Sequence, residues 1–266
     1  MKAVLPLIAL LLAALARPAA AFEMSVSPSR VEVAGKSGTR IGQSLQLTNV
    51  GNQPTEVAVR TLDWGFSPEG NITFYDELRE GSCRTWVTLE RRMVRLAPQA
   101  SLPFRFQVDI PPGAPRGECR FMMAIEGVEP SYRAQLQSGG ASLSLPVNGR
   151  IAVAVYVAVN GAEPKLEYRG IGVQDKDGQR VPVITMTNTG DAHGRLDGSL
   201  DTKDAQGLRF ELVPDGSPIM PGQTRTLVLS PRTTQQRRTI TPVFPLKTEG
   251  QLDWDLGSFK VDVEFR

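Results

Sequence analysis

The residues able to do chemistry are few and scattered. His193 is the only histidine, and Cys83 and Cys119 are the only cysteines. A zinc site needs four clustered ligands, and a Ser-His-Asp set needs a histidine with partners. Neither can be assembled from this composition. The chain also lacks a Gly-x-Ser-x-Gly elbow, a phosphate loop and a dinucleotide fingerprint. Asp175, Asp177 and Asp204 fall in loop-like stretches and read as solvated acids, and His193, within Asp191-Ala192-His193-Gly194, reads as a solvated turn residue. The expectation is a protein that binds: no enzyme, no catalytic residues, no metal and no cofactor.

Any binding surface must then be built by the elements. The apolar pattern has period two nearly everywhere, so the expected fold is all-β. Leu102, Phe104, Phe106, Val108 and Ile110 alternate with Pro103, Arg105, Gln107 and Asp109, and Pro111-Pro112-Gly113 closes the run. Further strands are expected over Met24 to Val33, Ser44 to Asn49, Glu56 to Leu62, Trp86 to Leu96, Cys119 to Ile125 and Ala141 to Val159. Leu47-Thr48-Asn49-Val50-Gly51 recurs as Met186-Thr187-Asn188-Thr189-Gly190, and Ala97-Pro98-Gln99 is echoed by Met220-Pro221-Gly222-Gln223. The repeat implies two β-sandwich domains in tandem, over 22–162 and 163–266, joined near Asn160-Gly161-Ala162-Glu163-Pro164.

Residues 1–21 have the layout of a secretory signal peptide, with Lys2, the apolar run Ala3 to Ala16 and Ala19-Ala20-Ala21 before Phe22. The apolar run is too short to span a bilayer, so no stable membrane insertion is expected. Losing Lys2 and Arg17 from the 30 Lys and Arg leaves the mature chain balanced against its 28 Asp and Glu. That balance argues against a nucleic-acid partner, which calls for a concentrated basic surface. The basic run Arg91-Arg92-Met93-Val94-Arg95 reads as a solvated strand face. In an oxidising compartment the natural pairing of the cysteines is one Cys83–Cys119 disulfide.

The run from Ala141 to Val159 is far longer than a usual strand of about 5 or 6 residues. Ala141, Leu143, Leu145 and Val147 alternate in its first half, and Ile151, Val153, Val155, Val157 and Val159 in its second, with Asn148-Gly149-Arg150 between. One sandwich can bury only one half. The other is expected to project as an apolar unpaired edge, suited to adding a strand to a partner's open sheet.

Several segments together resemble the periplasmic pilus chaperones of the chaperone-usher pathway: Ser27-Pro28-Ser29-Arg30-Val31, Ser44-Leu45-Gln46-Leu47-Thr48-Asn49, Thr85-Trp86-Val87-Thr88-Leu89, Val94-Arg95-Leu96-Ala97-Pro98, Pro103-Phe104-Arg105-Phe106, Ile110-Pro111 and the long strand with its central arginine. The resemblance implies immunoglobulin-like domains, a periplasmic location, and pilin subunits and an outer-membrane usher as partners. It also implies capture by donor-strand complementation, in which Ala141, Leu143, Leu145 and Val147 fill the subunit's groove. Arg30 and Arg150 are implied to hold the subunit's C-terminal carboxylate in the cleft between the domains. Arginine stands where the family has lysine in the long strand. Glu90-Arg91-Arg92-Met93 and Tyr156-Val157-Ala158-Val159 also depart from the family pattern, which places the chain in a divergent branch. A competing expectation is a secreted adhesin or carbohydrate-binding sandwich, with Trp64, Phe66, Phe74 and Tyr75 as its platform.

Overall fold

The computed structural model describes residues 22–128, 132–138, 141–147, 149–232 and 240–266; the signal-peptide assignment to 1–21 lies outside them. The first half contains β1 (Met24–Ser27), β2 (Arg30–Gly35), β3 (Arg40–Asn49), β4 (Thr55–Phe66), β5 (Ile72–Tyr75), β6 (Val87–Leu89), β7 (Met93–Leu96), β8 (Ser101–Asp109), β9 (Gly117–Gly127), β10 (Tyr132–Ser138), β11 (Ala141–Val147) and β12 (Arg150–Val159). The second contains β13 (Leu166–Lys176), β14 (Gln179–Asn188), β15 (Asp197–Lys203), β16 (Arg209–Pro214), β17 (Thr224–Arg232), β18 (Leu246–Trp254) and β19 (Gly257–Phe265). Apart from a single 3-10 turn at Arg84–Trp86, the regular structure among the described residues is strand, and the fold is an all-β tandem of sandwiches.

In the first sandwich the sheet β1-β3-β8-β6 faces the sheet β2-β12-β9-β4-β5, with β7 added beside β4. Period-two alternation decides what lies between them. Leu45 and Leu47 of β3, Phe104, Phe106 and Val108 of β8, Phe121, Met123 and Ile125 of β9 and Val153, Val155 and Val157 of β12 make one buried core. The second sandwich is a continuous seven-strand path, β13-β14-β17-β16-β15-β18-β19, in which β17 pairs with β14 through its first residues and with β16 through its last. Its core is separate, around Ile184, Met186, Leu200, Leu212, Leu227 and Leu229.

Two expected strands are each divided between sheets. Met24 to Val33 breaks at Pro28, which has no N–H to give a ladder: β1 pairs with β3, and β2 runs parallel to β12 in the opposite sheet. Trp86 to Leu96 breaks at Glu90–Arg92, so β6 joins β8 and β7 joins β4. Within the basic run Val94 is buried, while Arg95 is exposed and pairs with Glu56.

The sequence repeat is a repeated turn. Asn49 and Asn188 are both fully buried, and each side-chain oxygen accepts the N–H of the glycine two residues on, Gly51 at 3.0 Å and Gly190 at 2.9 Å. Each side-chain amide donates to carbonyls across the turn, Gln53 and Ala97 for Asn49, Ala192 and Ile219 for Asn188. The associated glutamines differ. Gln99 donates to Val50 and Gly51 within its own turn, whereas Gln223 reaches into the first sandwich and donates to the Phe66 carbonyl at 2.6 Å.

Gln223 belongs to a buried contact between the sandwiches. Leu62, Trp64, Met122, Ala124 and Tyr156 form an apolar cluster with Met220 of the second sandwich. Arg225, 3% exposed, donates to the Pro68 carbonyl, lies 4.6 Å from the Phe66 ring and also binds Ser217 and Pro218; burial pulls its pKa down. His193 is not the solvated turn residue expected. It is buried, stacks on Tyr156 at 3.8 Å, and places Nδ1 2.5 Å from Glu118 Oε2, while its backbone N–H donates to the same oxygen at 3.0 Å. Asp204 is buried too, its carboxylate accepting the N–H groups of Gln206, Leu208 and Val243. A loop must satisfy its own polar groups once it leaves water, and that demand is invisible in an isolated acid or histidine.

Cys83 and Cys119 are bridged, and the bond ties the segment leading into β6 to β9 in the facing sheet. For a sequence separation of 36, loop closure contributes roughly 4 kcal/mol in the chain-entropy picture. The Cys83→Ala/Cys119→Ala pair is therefore expected to lower unfolding free energy by about 3–4 kcal/mol, and an unchanged urea midpoint would refute it. His193→Ala is expected to cost roughly 1–3 kcal/mol, because it leaves the buried Glu118 carboxylate with only the backbone N–H of residue 193 and removes the ring stacked on Tyr156. His193→Asn, which keeps a donor near Nδ1, should recover part of that, and equal losses for both variants would show that the Glu118 contact carries no weight.

Candidate functional site

The site begins with a ladder that outruns its sandwich. β9 and β12 pair over ten positions, from Val159 opposite Gly117 to Arg150 opposite Glu126, and Gly127 N–H donates to Gly149 O at 3.1 Å. Val128 N–H then turns to Glu56 O of β4. Beyond this root β10 and β11 pair with each other over seven positions and, among the described residues, with nothing else. At ~3.3 Å per residue the ribbon is roughly 23 Å long. The expected continuous strand from Ala141 to Val159 is thus two strands separated at 148–149; Asn148 itself lies outside the described residues. A Cβ at Gly149 would come within 2.2 Å of the Phe22 ring, so a larger residue at the root would have to displace Phe22.

Of β10 and β11 the backbone is described, and the side chains of Ala141, Leu143, Leu145 and Val147 lie outside the described residues. Register alone assigns faces, because residues directly opposite share one. Tyr132 is opposite Val147, Ala134 opposite Leu145 and Leu136 opposite Leu143, on one face; Arg133, Gln135 and Gln137 pair with Pro146, Ser144 and Ser142 on the other. The apolar positions of β10 had a signal in the alternation Tyr132, Ala134, Leu136, too short to read as a strand without its partner.

The open edge has an end. β2 covers β12 only from Ala154 to Val159, leaving Arg150 to Val153 uncovered on that side, in line with the free edge of β11. Arg30 is the first residue of β2 and sits opposite Ala154, where the edge closes. Arg30 and Arg150 therefore occupy the same sheet face at the two limits of a four-residue opening, about 13 Å apart along the strand at ~3.3 Å per residue. They do not stand side by side.

Each arginine already has a carboxylate. Arg30 Nε donates to Glu32 at 2.6 Å, and both line a cleft of about 470 Å³ with His193, Arg195, Asp197 and Trp254 of the second sandwich. Burial pushes the Glu32 carboxyl up, but the Arg30 hydrogen bond and the charges of His193 and Arg195 outweigh it and hold the pKa below the usual value. Arg195 donates to the Tyr156 hydroxyl at 3.2 Å; burial pushes the Tyr156 pKa to about 12, so that hydroxyl keeps its proton. Arg150 lies 2.5 Å from Glu126 Oε1. Arg60 of β4 binds the same carboxylate through both oxygens, at 2.9 and 3.0 Å, and also pairs with Asp76. These hydrogen bonds hold Glu126 below the ordinary carboxylate range and raise the pKa of Arg60. Arg60 escaped the sequence reading, since an arginine in an alternating strand looks like any solvated charge.

The aromatic platform is not formed. Trp64 is 7% exposed and packs edge-on against Tyr156 at 5.8 Å, Phe66 lies under Arg225, and Tyr75 is covered by Arg79 at 4.4 Å, which leaves Phe74 as the exposed ring. Among the described residues there is no group of three or more His, Cys, Asp or Glu that could hold a metal, and no helix long and apolar enough to cross a membrane.

No family model matches the chain, and no curated protein matches its sequence. Several solved structures are similar to it over most of its length. The YadV chaperone is similar over 91% of this chain and 100% of its own, at 14% identity and a TM-score of 0.48. The E. coli chaperone DraB is similar over 92% and 98%, at 13% identity and a TM-score of 0.45. The SafB chaperone, solved with the Salmonella enterica pilin SafA, provides a match over 91% and 97%, at 14% identity and a TM-score of 0.45.

Proposed function

We propose that this chain is a periplasmic chaperone for pilus subunits, exported by residues 1–21 and working with an outer-membrane usher. It would act by lending the free edge of β11 to a subunit that lacks a strand. The observation that carries the reading is the β10-β11 ribbon: an edge unshared among the described residues, rooted in the sheet, with apolar residues at alternate positions of the sequence. An isolated two-stranded hairpin is marginal in water, and a partner sheet supplies what it lacks. Ala141, Leu143, Leu145 and Val147 fill the subunit's groove, each Leu or Val contributing about 1.5–3 kcal/mol when fully buried. The subunit strand ends within the opening from Arg150 to Val153, which closes where β2 begins. Its C-terminal carboxylate then meets the arginines, and the strand runs parallel to β11, as β2 runs parallel to β12. Arg150 and Arg30, at the limits of that opening, set the register, since a slip of one residue would turn every apolar group to the wrong face.

The test is capture of a pilin co-expressed in the periplasm. Leu143→Asp/Leu145→Asp is expected to abolish co-purification while circular dichroism and thermal melting of the purified chaperone stay close to the parent. Unfolding of the double variant would mean that the ribbon serves the protein's own core. A folded variant that still captures pilin would equally end the donor assignment.

A further inference from the structure

The carboxylate on Arg150 is the protein's own, and its geometry defines a competition. Glu126 is 21% exposed, Arg150 41% and Arg60 37%, so all three are reachable from water. Arg150 touches Glu126 through one contact at 2.5 Å, whereas Arg60 grips both oxygens in a fork. A fork of two parallel hydrogen bonds fixes a carboxylate more firmly than a single contact does. Register explains the division: Glu126 is directly opposite Arg150 in β12 and directly opposite Ala58 in β4, one alternate position from Arg60. The four charges, Arg60, Arg150, Glu126 and Asp76, sum to zero, so an arriving anion meets no net attraction unless one internal pair opens.

We propose that Arg150 is an exchange point, at which Glu126 holds the guanidinium until a peptide C-terminal carboxylate displaces it, and that Arg60 is the positioning residue that keeps Glu126 paired when it lets go. This rests on the proposed carboxylate anchoring and adds to it two residues, Arg60 and Glu126, and a reason for weak, reversible anchoring. Without Arg60, Glu126 has no second guanidinium and holds Arg150 more firmly. With Glu126 removed, Arg150 loses the carboxylate it touches, and Arg60, left with Asp76, no longer shares a carboxylate with it.

The test needs no subunit. Acetate, the simplest carboxylate, is titrated into the isotope-labelled mature protein while the Nε–H signals of Arg150, Arg60 and Arg30 are followed by NMR. Glu126→Gln is expected to bind acetate at Arg150 about tenfold more tightly than the parent, in line with one charge-assisted hydrogen bond freed. Arg60→Gln is expected to bind it more weakly than the parent, and Arg60→Gln/Glu126→Gln to match Glu126→Gln alone, the non-additivity of a residue that acts through its neighbour. If Arg60→Gln does not fold, Arg60→Lys keeps the charge without the fork and should fall between it and the parent. No gain on Glu126→Gln, or an Arg60 effect that persists without Glu126, overturns the exchange. Acetate bound as expected by a protein that captures no pilin overturns the chaperone reading and leaves the exchange standing.

Discussion

The ladder between β9 and β12 is the constraint on which the rest of the structure depends. Its ten pairs serve three demands at once, because side chains alternate across a strand. Phe121, Met123, Ile125, Val153, Val155 and Val157 point into the sandwich core, while Met122, Ala124, Ala152, Ala154 and Tyr156 meet the second sandwich. Where the pairs end, at Glu126 and Arg150, the same two strands lead into the ribbon. Slipping this register by one residue would exchange core and interface together, so the position of the free edge follows from packing on both sides of one sheet.

Much of this was legible from residues. The alternation in β8 and the Asn-x-Gly repeat both correspond to what the chain does, since period two and a buried turn amide are local demands. The run Phe121-Met122-Met123-Ala124-Ile125 also held a readable signal: continuous apolar character over a strand means burial on both faces. What could not be read was partnership. Pro28 looked like a residue within a strand, though the chain changes sheets there, and His193 looked like a turn. Its stacking on Tyr156 and contact with Glu118 depend on two residues far away in the chain. Arg30 and Arg150 were singled out by resemblance alone; Glu32 lies two residues from Arg30 on the same strand, but the spacing of the arginines along the open edge and the Arg150–Glu126 pair belong to tertiary structure.

The duplicated turn shows how one local solution acquired two uses. Gln99 and Gln223 follow matching prolines and precede matching strands, yet one closes its own turn and the other binds the neighbouring sandwich. Beside Gln223, Arg225 is held by backbone oxygens, the Ser217 hydroxyl and the face of Phe66. A guanidinium buried this far needs those acceptors, because a charge taken out of water is costly unless it is hydrogen-bonded. The cleft containing Arg30 and Glu32 has a different far wall, made by His193, Arg195, Asp197 and Trp254 of the second sandwich.

The root of the ribbon has a mechanical meaning. β9 lies between β12 and β4, and β12 is paired with β9 throughout and with β2 from Ala154 onward. A pull along the ribbon therefore enters the sandwich parallel to its strands, where ladder hydrogen bonds lie across the direction of load. Many bonds must shear together before any strand leaves, whereas a tether on an edge strand such as β5 would peel away one bond at a time. Tension along this ribbon would load the whole β9–β12 ladder at once, so the ribbon's place in the molecule is as firm as the longest strand pairing of its sheet.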